Sequence, residues 1–591
     1  MTQQQLEQAA AAAAPAQPRC VALPTGGSFT VTNARVPTGC IHGGVPGSVS
    51  VCVDNLAHLD IEVVRGRIAA LHPAGQATAA GRRWHSQGPV VDLKGKMVLP
   101  CFADLHTHID KGHTTERSRN PNGSLSGADR STARDAAFWD EQDVYRRMDF
   151  SLRCAYAHGT SALRTHLINM TPKQTQLTWP VFMHLRKKWA GKVELQGVSL
   201  VVLSFFRDEA AATALADLVA AHGGILGAAV CCAEKGGDPS DDWTTCEQDR
   251  DELLDRIFRL AKERNLDLDF HTDENGNELA RGLRYVALKA EQWGYQGRVV
   301  CGHCCSLAFQ PPEELAKTLE AVRRAGVTVV SLPLVNQWTQ DRSHEGGRTP
   351  RWRGITLLHE LRQAGIPTAI SSDNVRDQFY AYGDLDMLEV FTQSCRMAHL
   401  DRPYGDWPQA VTSIPADAMH LPEHGRIGVG LPADFVVFRG RRYSELLSRP
   451  QYDRVVVRNG VPLDCSPPSY EELDYVPAAI RAGEVPVMEV SFAADGQARV
   501  KTSIGGPVAT REQLPPAGKS SKPAAAAPAG TPANGRRSGA SNSGSGSALV
   551  LQPGGAPGGR YLQLLLLASC LMAALAAVGT YTSIVGLSWL S

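Results

Sequence analysis

Between residues 95 and 424, short apolar runs alternate with longer stretches of helical periodicity. From Asp251 to Arg264, the residues Leu253, Leu254, Ile257, Phe258 and Ala261 recur at the spacing that lines one face of a helix. Leu266, Leu268 and Phe270 then follow the two-residue period of a strand, which ends at His271. The alternation repeats down the chain. Residues 278–293 predict a helix stopped by Gly294, then a strand from Arg298 to Cys301 that runs into His303. Pro312 opens another helix with Glu313 and Glu314 in its first turn, and Gly326 closes it before a strand at 327–330. Ile355 to Ala364 reads as a helix with Gly365 as its stop, and Thr368 to Ser372 as a strand ending at Asp373. Repeated βα units of this size predict a parallel sheet, and their number fits an α/β fold of the (β/α)8, TIM-like barrel type over 95–424. Flanking β-rich stretches, Phe29 to Val91 and Gly425 to Pro462, predict a small β-sandwich built from segments 28–94 and 425–500.

The two ends have a different character. Residues 1–27 begin Gln/Ala-rich, without the apolar core of a secretory signal, and read as a disordered tail. Residues 501–560 are dominated by Pro, Gly, Ala and Ser and read as a low-complexity linker, too poor in large apolar groups to offset chain entropy. Tyr561 to Trp589 carries no charge over 29 residues and includes LLLLASCLMAALAAVG, longer than the ~20 residues that cross a bilayer. The expectation is a single-pass C-terminal transmembrane helix, with Arg560 and the bulk of the chain on the cytosolic side of the membrane. Over the whole chain of 591 residues, 60 Lys+Arg balance 60 Asp+Glu, so no global field points to nucleic acid. The 14 cysteines are too sparse for a disulfide scaffold and read as free thiols in a reducing compartment.

Candidate chemistry gathers at the C-terminal ends of the expected strands: His106 with His108, His271, His303 and Asp373. That end of a (β/α)8 barrel is where active sites assemble. Two histidines at i and i+2 on an extended segment face the same side and can grip one ion. His271 and Asp373 complete three nitrogens and one oxygen, a donor set suited to one divalent ion, zinc or iron. No GxGxxG, P-loop or nucleophile-elbow motif is present, which removes nucleotide-phosphate and serine-hydrolase readings. Cys301, Cys304 and Cys305 lack a CxxC partner at zinc-finger spacing and read as buried thiols; His113, His166 and His184 are not taken as ligands.

The segments VVDLKGKMVLPCFADLHTHIDKG (90–112), HTDENG (271–276), RVVCGHC (298–304) and SSDNVRDQFYAYGDLDML (371–388) resemble the amidohydrolase superfamily, in its cytosine deaminase-like branch. RTH (164–166), PLVNQWTQDR (333–342), RWRGIT (351–356) and GRIGVGLPADFVVF (425–438) are similar to further parts of that pattern, which spans residues 28 to 465. The resemblance implies a metal on His106, His108, His271 and Asp373 with one position open for water. It implies Glu274 as the proton shuttle to the ring nitrogen, His303 beside the reacting oxygen, and Asp373 as the acceptor of the water proton. A strand-4 lysine that could bridge two metals is absent from GGILGAAVCCAE (223–234), so one metal is expected.

The chain departs from the cytosine deaminases where the substrate is read. The stretch VVLSFFRDEA (201–210) lacks their pyrimidine-pairing Gln, and the acidic pair after the last strand is Asp373–Asn374, with Phe379 in place of a Trp. Arg207, Asn374 and Phe379 are therefore the expected substrate contacts. The reading is a metal-dependent hydrolase that deaminates a small heterocyclic substrate with water, a pyrimidine such as cytosine being the first to try. N-substituted triazine or isoguanine-type rings, or an inactive membrane-anchored scaffold, are the alternatives; oligomerisation is left open.

Overall fold

A computed structural model describes residues 19–75, 86–230, 249–342, 348–402, 404–474 and, by backbone alone, 487–492 and 498–503. Eight parallel strands make up the core: β1 (Phe102–Thr107), β2 (Thr160–Ile168), β3 (Glu194–Leu200), β4 (Leu226–Val230), β5 (Leu268–Thr272), β6 (Val299–His303), β7 (Thr328–Ser331) and β8 (Thr368–Ile370). They pair in chain order as a three-stranded sheet, β1 to β3, and a five-stranded sheet, β4 to β8. Parallel bridges Val198↔Ile225 and Val202↔Ala229 join the two sheets along one seam, and Thr107↔Asp373 joins them along the other. The second seam closes the barrel, with the Asp373 amide donating to the His106 carbonyl at 2.9 Å. Two of the candidate ligands thus sit on the closing contact itself.

The helices that follow most strands are α1 (Glu141–His158), α2 (Pro172–Trp189), α3 (Glu209–Ala221), α4 (Arg250–Glu263), α5 (Gly282–Gln292), α6 (Pro312–Ala325), α7 (Leu358–Gln363) and α8 (Met387–Met397). Their apolar faces bury against the barrel wall: Ile257 and Phe258 of α4 share one cluster with Leu226 and Phe270. Each such side chain, taken from water, contributes roughly 1.5–3 kcal/mol. The α6 boundaries match their sequence signals, with Pro312 in the first turn and Gly326 at φ 66° closing the last turn in the left-handed conformation that glycine tolerates best. Helix α5 starts at Gly282, later than the 278 that periodicity predicts. Its cap is distant in sequence: the Asp273 carboxylate accepts from the Gly282 and Leu283 amides at 2.9 and 3.0 Å.

Two four-stranded sheets lie outside the barrel. One orders Arg67–Pro73, Leu56–Val64, Phe29–Pro37 and Val90–Asp92; the other orders Val461–Pro462, Val455–Arg458, Phe435–Val437 and Val98–Pro100. Their inner faces share the cluster of Phe29, Val31, Leu59, Ile61, Phe435 and Val457. The sandwich therefore takes strands from both flanks and also Val98–Pro100, inside the segment expected to be barrel. Among the described residues, strands Val487–Phe492 and Ala498–Ser503 pair only with each other. A buried bidentate pair, Arg454 to Asp386 at 2.7 and 2.6 Å, ties the Val455–Arg458 strand to the start of α8.

One expectation is corrected. Among the described residues no helix is long and apolar enough to cross a membrane. The apolar run at 561–589 lies outside the described residues, as do the N-terminal tail up to residue 18 and the linker from 504. The transmembrane helix, the membrane partner and the cytosol-facing anchored location are accordingly withdrawn.

Candidate active site

Four of the expected residues converge on one point at the C-terminal mouth of the barrel. His106 Nε2 lies 3.2 Å from His271 Nε2, which lies 3.1 Å from His108 Nε2. Asp373 Oδ1 stands 3.2 Å from His108 Nε2 and 3.8 Å from His106 Nε2. Four donors at ~2.1 Å from a common centre in a tetrahedron would be ~3.4 Å apart, so this spacing fits one ion of zinc-like geometry. The polar chemistry agrees. The Nδ1 atoms of His106, His108 and His271 and both Asp373 carboxylate oxygens are buried without a hydrogen-bond partner among the described residues. An orphaned carboxylate facing three converging imidazole nitrogens is costly unless a cation joins them. Burial first, and then neighbouring imidazoles and Lys111, hold the three histidines well below the usual imidazole range, leaving them neutral and ready to donate lone pairs. Burial likewise pushes the Asp373 carboxyl well above its usual range.

The backbone holds this geometry under strain. Asp273, His303, Cys304 and Asp373 all have φ between 50° and 67°, in the left-handed region that side chains other than glycine rarely adopt. Such residues cost about 1–3 kcal/mol each and persist where the surroundings over-determine them. Asp373 is itself a candidate ligand; Asp273 lies two residues after His271, the His303 ring centroid is 5.1 Å from that of His271, and the Cys304 amide donates to the Thr272 carbonyl.

Beside the ligand cluster lies a second group. His303 Nδ1 is 3.5 Å from Glu274 Oε1 and 4.0 Å from Asp373 Oδ2. The Asn336 side-chain amide stands 3.2 Å from Glu274 Oε1 and 3.0 Å from His303 Nδ1. Burial lowers the His303 imidazole to about 3, so it is neutral across the physiological range. Glu274 is held from below by its neighbour Asp273, the cap of α5, and from the side by Gln340, whose amide donates to the Glu274 carbonyl at 3.2 Å.

A third group follows β8. Lys111, only 3% exposed, pairs with Asp377 at 3.1 Å and lies 4.0 Å above the Phe379 ring. Asn374 donates to the same Asp377 oxygen at 2.7 Å, while the Phe379 and Tyr380 amides donate to the other. The expected substrate contacts Asn374 and Phe379 thus meet around a buried Lys–Asp pair. Arg207 does not join them. It sits on a turn after β3, half-exposed, in an ion pair with Asp249.

Two residues escaped the sequence reading as parts of the site, whereas His166 is expected from it to pack or hydrogen-bond near the site without being a ligand. Lys111 and Asn336 lie inside quoted motifs, but spacing alone assigns neither a role. His166 is fully buried with its ring centroid 4.0 Å from that of His106; its ring nitrogens have no hydrogen-bond partner among the described residues, and its Nε2 stands 3.8 Å from Asp269 Oδ1. It also forms a possible three-histidine group with His106 and His271. Ala162, Arg164 and His166 share one face of β2, and Arg164 pairs with Asp269 at 2.8 Å beneath the histidines. Cys301, Cys304 and Cys305 are buried cysteines, as expected, and burial pushes the first two thiols up. A cavity of about 680 Å³ opens between the β1–α1 segment and the ends of β2 and β3, lined by Thr132, Ile168, Met170, Gln174, Val202 and Ser204. None of the candidate ligands lines it.

A closed parallel barrel with a histidine–carboxylate cluster that could hold a metal ion at its C-terminal mouth fits a metal-dependent hydrolase class. The amidohydrolase family profile matches residues 186–485. A pterin deaminase of Rhizobium rhizogenes is 44% identical over 454 residues, 77% of this chain and 98% of that protein. An N-isopropylammelide isopropyl amidohydrolase of a Pseudomonas species is 26% identical over 390 residues, 64% of this chain and 86% of that protein. Among solved structures, 5-methylcytosine deaminase from Klebsiella pneumoniae superposes with a TM-score of 0.60 at 19% identity, covering 74% of this chain and 98% of that one. The chain belongs to the amidohydrolase superfamily, in its deaminase-like branch. It is a metal-dependent hydrolase of carbon–nitrogen bonds in heterocycles. The expectation of cytosine as the first substrate finds no support in these comparisons, since the structural likeness at 19% identity speaks for the fold alone.

Proposed function

We propose that the chain hydrolytically deaminates an aminated pteridine, pterin being the first substrate to test, using one divalent ion, zinc or iron, held by His106, His108, His271 and Asp373. The observation that carries the chemistry is the convergence of three imidazole nitrogens and an orphaned carboxylate beside the Glu274–His303 pair. The choice of ring rests on the 44% identity to a protein described as a pterin deaminase.

Held by His106, His108, His271 and Asp373, a divalent ion would supply the Lewis acidity that brings water within reach of deprotonation near neutral pH. Asp373 accepts the water proton on a carboxylate oxygen. Glu274 carries a proton to the ring nitrogen next to the amino-bearing carbon, making that carbon electrophilic. His303 steadies the oxygen that becomes tetrahedral there. The new carbon–oxygen bond forms, the amino group takes the proton held on Asp373 and leaves as ammonia as the carbon–nitrogen bond breaks, and the hydroxyl proton of the tetrahedral carbon returns to Glu274. Lys111, Asn374 and Phe379 form the wall against which a flat, amide-bearing ring packs, with Phe379 offering its face and Lys111 a donor. Arg207 has no part in this reading because its ion pair with Asp249 holds it on the surface.

A second reading, removal of an alkylamine from a triazine, is favoured by the 26% identity to the isopropylammelide hydrolase. Both are tested by one panel. Metal-free protein is reloaded with zinc or iron(II) and given pterin, cytosine, isoguanine and N-isopropylammelide, and released ammonia and isopropylamine are measured separately. The pteridine reading expects the highest kcat/KM on pterin with stoichiometric ammonia and a dioxo product. Isopropylamine release with idle pterin would replace it by the second reading.

A further inference from the structure

Asn336 lies on the seven-residue helix Pro333–Thr339, which directly follows β7, and is fully buried. One turn later, Gln340 accepts the helix's continuing register, its amide donating to the Asn336 carbonyl at 2.9 Å. The two side chains, at i and i+4, share one face of that turn. They take hold of Glu274 at two different points. Gln340 donates to its main-chain carbonyl at 3.2 Å, and Asn336 donates to its carboxylate at 3.2 Å. Asn336 Nδ2 is also 3.0 Å from His303 Nδ1. A carboxylate oxygen and an accepting imidazole nitrogen 3.5 Å apart have no hydrogen bond to offer each other. The amide nitrogen carries two hydrogens and can donate one to each. That arrangement makes Nδ1 of neutral His303 the acceptor and leaves its proton on Nε2, which has no acceptor among the described residues.

We propose that Asn336 is a positioning residue of the deamination: its amide joins Glu274 and His303 into one hydrogen-bonded unit, aiming the carboxylate for proton transfer and keeping the His303 Nε2 hydrogen free for the reacting oxygen. The proposal deepens the functional reading above and rests on it. Asn336 touches neither the candidate ligands nor, in this role, the ring, so its loss acts through the two groups it holds. The amide is not interchangeable with other groups of the same size. An Asp would set a second carboxylate against Glu274, and a Leu would fill the volume without donating.

The test is a double-mutant cycle on the full-length holoprotein with pterin as substrate: wild type, Asn336→Leu, Glu274→Gln and the double variant. Zinc affinity is measured alongside by titrating metal-free protein against a chromophoric chelator. Asn336→Leu should lower kcat about 10- to 100-fold, the scale of lost outer-shell support, while KM and zinc affinity stay within about threefold. In the Glu274→Gln background the same change should cost less than about threefold, because groups that act as a unit are not additive. If Asn336→Leu fails to fold, Asn336→Ser, smaller and polar, takes its place in the same cycle. Additive losses, unchanged kcat, or a fall explained by lost zinc would overturn the role of Asn336 while leaving the function standing. A Glu274→Gln variant that keeps zinc and full turnover would instead overturn the functional reading itself.

Discussion

Gly302, on β6 one residue before His303, offers a graded way to disturb the metal cage without touching a ligand. A Cβ built there would lie 2.9 Å from His106 Cε1 and 3.0 Å from His106 Nδ1. Ordinary contact begins near 3.4 Å, so Gly302→Ala demands a shift of about half an ångström from one of the two residues. His106 has little room to give it. Its ring is fully buried, lies 4.0 Å from the His166 ring centroid and 4.5 Å from that of His271, and its Nε2 is one of the converging donors. If the four candidate donors hold one ion, displacing His106 by a fraction of an ångström should lower divalent-metal affinity about 10- to 100-fold, comparable to losing a supporting contact around a metal site, or roughly 1.4–2.7 kcal/mol. The assay is competition between metal-free protein and a chromophoric chelator for zinc. Gly224→Ala is the control: its Cβ would meet the Trp179 ring at 2.6 Å, an overpacking of the outer wall away from the ligands. Both variants should lose about 1–3 kcal/mol of stability, but only Gly302→Ala should lose metal. If a folded Gly302→Ala protein binds zinc within threefold of wild type, His106 is not one of the donors that hold the ion.

Three further outcomes are expected. Changing His106 and His108 together to Ala should abolish stoichiometric metal binding, measured by elemental analysis after dialysis, because two of the four converging donors go. Arg207→Ala should leave kcat/KM on pterin within about twofold, since its partner is a surface Asp249 rather than the ring; a tenfold loss would restore it to the site. The third concerns acid stability. Burial lowers His113 to about 3 from an ordinary 6.5, so the unfolded chain binds its proton first as pH falls. The stability it contributes is present above pH 6.5 and is lost progressively between 6.5 and 3, at up to about 1.4 kcal/mol per pH unit. His113→Gln should flatten the fall of the thermal midpoint over that window, read by calorimetry at successive pH values; an unchanged slope would refute it.

Local pattern determined a good deal of this molecule. The face of α4, the Pro and Gly boundaries of α6, and the strand ends carrying His106, His271, His303 and Asp373 are all written within a few residues of themselves, because helical and strand periods are local. The HxH spacing and the family motifs likewise pointed to the superfamily and to a candidate ligand set. Other features depended on contacts that no local period encodes. The start of α5 is decided by Asp273, nine residues upstream, reaching across a loop. Arg207 could be placed only once Asp249, 42 residues on, was seen to hold it. His166 became a neighbour of His106, and Asn336 a neighbour of Glu274 across 62 residues of chain, only because eight strands close into a ring and bring their ends together. That closure runs through Thr107 and Asp373, whose pairing no spacing in the chain announces. Sequence alone supplied the donor atoms; the ring of the barrel decided which of them meet.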